Sequence, residues 1–198
     1  MHLREPSQLP ALRAAGKLMF GQVPLLELGG QCLVQSAAIT RHIADRHGLY
    51  ACRGEGRVHC DVVAEGAADF YNSFVPLPFV RDPSARETAI EQRRRDIIPR
   101  YLAIFEGLLW EGAGLGAAGT WVASGDTPSY ADACLYAAIE WAVEISPGVL
   151  EAEAYSALRA WRQAFAALPG VTRFLASPHH FAFPTDAYVA EVDAALGR

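Results

Sequence analysis

The sequence has 198 residues, of which 52% are apolar and 20% charged, and this composition argues against a disordered chain. The formal net charge is −5, which does not suit a nucleic-acid-binding surface rich in basic residues. No apolar run approaches the roughly 18 residues of a membrane-spanning helix. We therefore expect a globular protein that has neither a nucleic acid nor a membrane as its partner.

The cysteine and histidine residues indicate a reducing compartment and no metal. Four cysteines stand at positions 32, 52, 60 and 134, and none forms a CxxC pair. His179 and His180 are adjacent, but no ligand spacing supports a metal site, and a surface pair is the simpler interpretation. The expected location is the cytoplasm.

The first 50 residues predict the order helix, hairpin, helix. Residues 7–15 have the pattern of a short helix, with Ser7 as its N-cap and Gly16 after its end. Gly29-Gly30 separates two short apolar strands, Leu25–Leu28 and Gln31–Val34, and is a hairpin signal. A helix then opens at Gln35-Ser36 and stops near Gly48.

The remainder of the chain, after a linker at residues 51–56, reads as helical. A first long helix is predicted over residues 57–74 and a second over 85–112, with a kink at Pro99. Further helices are predicted over 133–145, 153–167, 171–175 and 187–196, and no sheet is expected after residue 60. We therefore divide the chain into residues 1–50 and residues 57–198.

Ser129 and Asp132 form an S-x-x-D sequence directly before an apolar run. Each side chain can accept a hydrogen bond from the backbone amide of the other, which is the capping-box arrangement. At an exposed helix start, Asp132→Ala should cost about 1 kcal/mol.

Three stretches, taken together, resemble the cytosolic glutathione transferases, especially the sigma-like branch. They are residues 10–27, residues 35–41, and Gly125-Asp126 with the Ser129–Asp132 box. The resemblance implies an α+β, mostly α fold, in which a truncated thioredoxin-like domain (helix, hairpin, helix) precedes an all-α domain. It also implies a homodimer. The family's first strand, helix and strand, which end at the thiol-activating Tyr, Ser or Cys, would be missing from this chain.

The resemblance assigns a glutathione site to the first domain. Val23, in Gln22-Val23-Pro24, would lie along the cysteinyl part of glutathione, before a cis proline bond. Gln35 and Ser36, at a helix N-terminus, would bind the γ-glutamyl carboxylate, although Ser36 is equally read as a plain N-cap. For the tripeptide alone, Pro24 is also read as an ordinary turn proline.

Charged residues would complete that site. Arg13 matches the family's cation for the glycyl carboxylate, and Lys17 could share this duty or be a solvated surface charge. Asp69 would reach the α-amino group of the ligand across the dimer, or be an ordinary exposed acid.

A second-substrate pocket for a small apolar electrophile would be lined by Phe70, Phe74 and Tyr101, with Phe79 and, further along the chain, Phe181 and Phe183. Aromatic residues at helical spacing are equally typical of plain core. No residue is assigned to thiol activation, and Cys32, in a predicted strand, is interpreted as a small core residue.

The implied reaction is conjugation of the glutathione thiol to an electrophile, or isomerisation or reduction of a peroxide-type substrate, in detoxification. Glutathione is the expected co-substrate, and no metal is expected. Activity should be weak without the thiol activator. The alternatives are a non-catalytic dimeric scaffold or glutathione-binding protein of the same lineage, or a shortened gene model of an intact enzyme.

Overall fold

The computed structural model describes residues 5, 7–50, 55–111, 121–123, 127–180 and 183–197. Contacts within the chain group it into two units. The first comprises Met1–His47 with Pro184–Arg198, and the second comprises Gly48–Phe183.

The first unit contains a two-stranded sheet and three helices. Helix α1 spans Gln8–Ala14, strand β1 Leu25–Leu28, strand β2 Gln31–Val34, helix α2 Ser36–Arg46, and the last helix, α9, Asp186–Leu196. The strands are antiparallel and in register from the pair Leu25–Val34 to the pair Leu28–Gln31. Gly29 and Gly30 join them with φ of 57° and 78°, so both central residues of the turn are left-handed, as a tight hairpin requires. The predicted order of helix, hairpin and helix is confirmed.

Of the two serines predicted as N-caps in this unit, one is at that position without a capping hydrogen bond and the other is not at that position. Ser7 stands at the N-cap position of α1 but has a right-handed helical backbone, and its side chain accepts no capping hydrogen bond. Ser36 is the first residue inside α2, and the N-cap position belongs to Gln35, whose φ is +72°. Gly16, with φ of +67°, ends α1 as predicted.

The described residues of the second unit form helices joined by turns and irregular segments, and they form no sheet. The helices are α3 (Glu55–Phe74), α4 (Pro83–Gln92), α5 (Ile98–Glu111), α6 (Tyr130–Ile145), α7 (Ser156–Ala166) and α8 (Pro169–Leu175). Helix α3 packs along α6, and α5 packs against α7. The core is formed by apolar side chains with essentially no exposed surface, namely Phe70, Phe74, Ile98, Leu102, Phe105, Leu135, Ile139 and Leu158.

The helix predicted over residues 85–112 is divided by a π-helical segment, Arg93–Ile97. In that segment Ile98 N donates to Arg93 O, five residues back. Pro99 follows and has no N–H to continue an α-helical ladder, so a wider turn at this place removes the conflict. Sequence reasoning placed the disturbance correctly but expected a kink in a single helix.

Among the described residues, the β1–β2 hairpin is the only sheet, in agreement with the all-helical prediction after residue 60. In this part of the chain no helix combines the length and the apolar character needed to cross a membrane. The glycine-rich stretch 112–119 lies outside the described residues.

Candidate functional site

The hairpin register brings two predicted binding segments to one place. Leu25 is paired with Val34, so Val23-Pro24, before β1, and Gln35-Ser36, after β2, meet at the open end of the hairpin. The Val23–Pro24 peptide bond is cis, as the family resemblance implies. Residues that are eleven or more positions apart in the sequence therefore form one surface.

Val23 presents its backbone at this surface. The residue is exposed, and within the described chain no group hydrogen-bonds to its N–H or C=O. Gln22 and Pro24 beside it are exposed as well. An extended ligand could pair with the Val23 backbone as an added strand does.

The N-terminus of α2 forms the other half of the surface. No side chain caps its first turn, and Gln35, Ser36 and the two alanines that follow are exposed. Uncapped amides and the helix dipole favour an anion at this point. Gln35 is the only described non-glycine residue with positive φ, a backbone conformation that is costly for such a residue and is found at functional sites.

The two predicted cations are both engaged within the unit. Arg13 Nε donates to Gly21 O at 2.7 Å, which is the only hydrogen bond of this side chain in the described part of the protein. Lys17 Nζ lies 2.6 Å from Glu27 Oε1 on strand β1. The hydrogen bond to Glu27 and the charge of that carboxylate raise the pKa of the Lys17 ammonium above its usual value. Lys17 is thus paired with Glu27, and a ligand carboxylate at its ammonium group would have to share that group with Glu27.

Asp69 belongs to the second unit, on α3, and its side chain is exposed. It lies seven residues after Val62 and eleven after Val58, which places all three on one face of the helix. The two valines are 61% and 63% exposed, and the exposed Glu65 stands between Val62 and Asp69 on the same face, which therefore combines apolar surface with two acids.

The proposed second-substrate aromatics are mainly core. Phe70 and Phe74 are fully buried, and Phe70 stacks on Tyr101 with ring centroids 4.7 Å apart. Tyr101 is half-buried, and the Arg100 guanidinium lies over its ring at 4.7 Å. Phe79 is partly exposed, Phe183 packs on Trp141 at 4.4 Å, and Phe181 lies outside the described residues. Of the three principal candidates, only Tyr101 has accessible surface.

The Ser129–Asp132 capping box is present, and one expectation about it is wrong. Asp132 is not exposed but completely buried. Its Oδ2 accepts from Ser129 N at 2.8 Å and from Ser129 Oγ at 2.9 Å. Its Oδ1 accepts from Val122 N and from Trp161 Nε1, both at 2.9 Å. The cap is therefore also a junction between α6, α7 and the segment before α6.

The interpretation of Cys32 as a core residue is also wrong, since this cysteine is exposed on β2, opposite Glu27. Burial does not alternate along the two strands: their turn-side halves are exposed and their other halves half-buried, and Cys32 lies in a turn-side half. The described residues contain no cluster of His, Cys, Asp and Glu suited to a metal.

Sequence reasoning missed the partners of these residues. Glu27 and Gly21 engage the two cations, and Trp161 and Val122 complete the Asp132 network. Each is separated from its partner by eight residues or more. No periodicity or capping signal in the sequence could have identified such pairs.

Comparison with known proteins places this geometry in a family. Residues 3–45 match the model of the glutathione S-transferase N-terminal domain, and residues 68–178 match the glutathione S-transferase C-terminal domain. Glutathione S-transferase A3 of Mus musculus is 31% identical over 173 residues, which are 87% of this chain and 74% of the relative. Glutathione S-transferase alpha-4 of Rattus norvegicus is 29% identical over 190 residues, covering 96% and 82%.

A comparison with solved structures indicates the same family. The pi-class glutathione S-transferase of Onchocerca volvulus superposes with a TM-score of 0.73 at 25% identity, over 86% of this chain and 76% of that one. The chain combines a thioredoxin-like first domain with an all-α second domain, and it belongs to the glutathione S-transferase family.

Proposed function

We propose that this chain binds glutathione at the open end of the β1–β2 hairpin. The observation that carries the proposal is the Leu25–Val34 register, which brings the exposed Val23 backbone and the uncapped start of α2 together. One segment offers hydrogen bonds to an extended peptide, and the other offers an anion site.

The roles of the residues follow from the chemistry of the tripeptide. Val23, flanked by Gln22 and Pro24, pairs with the cysteinyl backbone. Gln35 and Ser36 bind the γ-glutamyl carboxylate. Arg13 turns toward the glycyl carboxylate while its Nε holds Gly21 O, because a guanidinium has further donors to offer.

The proposed reaction is the attack of the glutathione thiolate on an electrophilic or peroxide-type substrate. The thiolate is the nucleophile, so the rate depends on a group that lowers the thiol pKa. We assign no residue of this sequence to that task, and we propose that the 198-residue chain reacts slowly. Tyr101 is the one principal aromatic candidate with surface to offer an apolar second substrate.

We further propose a homodimer formed through the exposed face of α3. Val58 and Val62 would supply apolar surface, and Asp69 on the same face would reach the α-amino group of glutathione bound to the partner subunit. A dimer is the usual state of the family that the motifs resemble.

Two broader assignments are proposals of the same kind. A cytoplasmic location accords with Cys32, Cys60 and Cys134, none of which forms a disulfide within the described residues. The division into residues 1–50 and 57–198 stays a prediction, and contacts group Pro184–Arg198 with the first unit.

The subclass of the protein is not part of the proposal. Its relatives carry alpha-class and pi-class names, so we propose the glutathione site of the family and no subclass.

Ser36→Asp tests the anion site without weakening the helix. A carboxylate at the start of α2 repels the γ-glutamyl carboxylate, yet it suits the helix dipole. We expect glutathione affinity, measured by titration calorimetry, to fall about tenfold or more, which is the scale of one lost charge-assisted contact. The thermal midpoint should hold or rise.

Ser84→Asp, near the start of α4 in the second unit, is the matched control and should bind as wild type. The site is refuted if wild type does not bind glutathione, or if Ser36→Asp binds equally well.

Conjugation of glutathione to a chlorodinitrobenzene substrate then distinguishes a transferase from a glutathione-binding scaffold. Slow turnover supports the transferase, binding without turnover supports a glutathione-binding scaffold, and the rate of an intact relative contradicts the proposed weak activity.

A further inference from the structure

The Lys17–Glu27 ion pair closes the loop that carries the Val23 segment. Lys17 follows Gly16 at the end of α1, and Glu27 is the third residue of β1. Their side chains meet at 2.6 Å across a ten-residue separation in the sequence. Gln22, Val23 and Pro24 lie between them, so the pair joins the two ends of their loop.

Few other contacts hold this loop. Leu18 is the only buried residue from position 18 to position 24. The described hydrogen bonds are Arg13 Nε to Gly21 O at 2.7 Å and Gly21 N to Leu18 O at 2.9 Å. A segment with so little burial opens locally at low cost, so a tether between its ends matters for its conformation.

The pair has little influence on global stability. The Lys17 side chain is 39% exposed and that of Glu27 is 54% exposed, and solvent-exposed pairs contribute little to the free energy of unfolding. A direct contact from Lys17 to a ligand carboxylate would have to share the ammonium group with Glu27, whose negative charge disfavours a second carboxylate at the same place.

We infer that Lys17 is a positioning residue that acts through Glu27, holding the Val23 segment in place for glutathione, and is not a partner of the glycyl carboxylate. This inference rests on the proposed glutathione site. It assigns Glu27 a role that none of the sequence motifs indicates.

The two roles of Lys17 predict opposite effects of Glu27→Gln. If Lys17 positions the loop, loss of the Glu27 charge releases the loop and weakens binding. If Lys17 contacts the ligand, the same change frees its ammonium group, and binding stays equal or tightens. Glu27 itself is on the strand and is not a proposed ligand contact, so this variant is the decisive one.

Glutathione affinity is measured by titration calorimetry on the full chain. Lys17→Gln and Glu27→Gln should each raise Kd about two- to fivefold, which is the scale of an exposed ion pair. Lys17→Arg, and the exchange Lys17→Glu with Glu27→Lys, should retain most of the wild-type affinity. Glu191→Gln, an exposed acid on α9 of the same unit, is the matched control and should leave Kd unchanged.

A glutathione analogue with a glycinamide end supplies the second readout. A positioning role makes Lys17→Gln equally harmful for glutathione and for the amide, whereas a direct contact confines the loss to glutathione. Equal or tighter binding by Glu27→Gln, or a loss confined to the free acid, overturns the inference while the glutathione site stands. If wild type does not bind glutathione at all, the proposed function fails and the inference fails with it.

Discussion

At the scale of single residues, Asp132 shows how a local motif acquires a tertiary role. Its position in an S-x-x-D sequence predicts a capping box, and the box is there. A cap at an exposed helix start needs only the two backbone amides of the box. Here the carboxylate is fully buried and also accepts from the Trp161 indole and from Val122 N. Removing it therefore leaves several buried donors without an acceptor.

We expect Asp132→Ala to lower the free energy of unfolding by about 3 kcal/mol, because buried donors to a charged acceptor each lose on the order of 1–3 kcal/mol. This exceeds the loss of about 1 kcal/mol for a simple cap. Urea unfolding followed by tryptophan fluorescence measures it, since Trp161 contacts the carboxylate directly.

Glu144→Ala on the same helix is the control, because Glu144 is exposed, and it should change stability little. Asp132→Asn keeps the shape and one acceptor oxygen and should fall between the two. A midpoint of Asp132→Ala equal to that of Glu144→Ala would show that the buried network adds nothing.

At the scale of elements, α7 begins without a cap of its own and takes one from α5. Tyr155 occupies its N-cap position and offers no side-chain hydrogen bond. Glu106 on α5 accepts instead from Ala157 N at 2.9 Å and from Leu158 N at 2.8 Å. A carboxylate at a helix N-terminus also interacts favourably with the helix dipole.

The π-helical segment Arg93–Ile97, between α4 and α5, also supplies hydrogen bonds to the ends of neighbouring helices. Arg93 Nε donates to Ser73 O near the end of α3 at 3.1 Å, and Arg94 Nε donates to Ile145 O at the end of α6 at 2.9 Å. Consecutive arginines of the π-helical segment thus satisfy the free carbonyls of two neighbouring helices.

Glu106→Ala should destabilise the protein by about 2 kcal/mol, because it removes a charged acceptor from two first-turn amides. Hydrogen exchange should accelerate first at the start of α7, whereas Glu106→Gln, which retains one acceptor, should lose less. Unfolding at the same urea concentration as Glu144→Ala would contradict the assignment of Glu106 as the cap of α7.

At the scale of the whole molecule, the α3 face with Val58, Val62 and Asp69 decides the proposed assembly. A double variant, Val58→Asp with Val62→Asp, places four negative charges at an interface between two identical copies, since each copy contributes the same face. We expect it to sediment as a monomer and wild type as a dimer.

Val75→Asp is the matched control, a partly exposed valine just past the end of α3 that points to a different side, and it should remain dimeric. A monomeric wild type, or a dimeric double variant with an unchanged sedimentation coefficient, would refute the α3 interface.

The sequence by itself determined the local features of this protein. The hairpin between Leu25 and Val34, the stop at Gly16 and the capping box at Ser129 are encoded by neighbouring residues, through turn chemistry and short-range hydrogen bonds. The motif set also identified the family, and the family models and relatives confirm it. Such features can be predicted from a sequence because they depend on spacings of two to four residues.

Only the tertiary structure decided which residues are buried, paired or left on the surface. Cys32 is exposed because it lies in the turn-side half of the hairpin, and Phe70 is core because Phe74, Tyr101 and Phe105 pack around it. Lys17 is paired because the chain between α1 and β1 folds back and brings Glu27 next to it. The Asp132 carboxylate accepts a hydrogen bond from Trp161, which is twenty-nine residues later in the sequence. These contacts depend on the path of the chain in space, which no local pattern records.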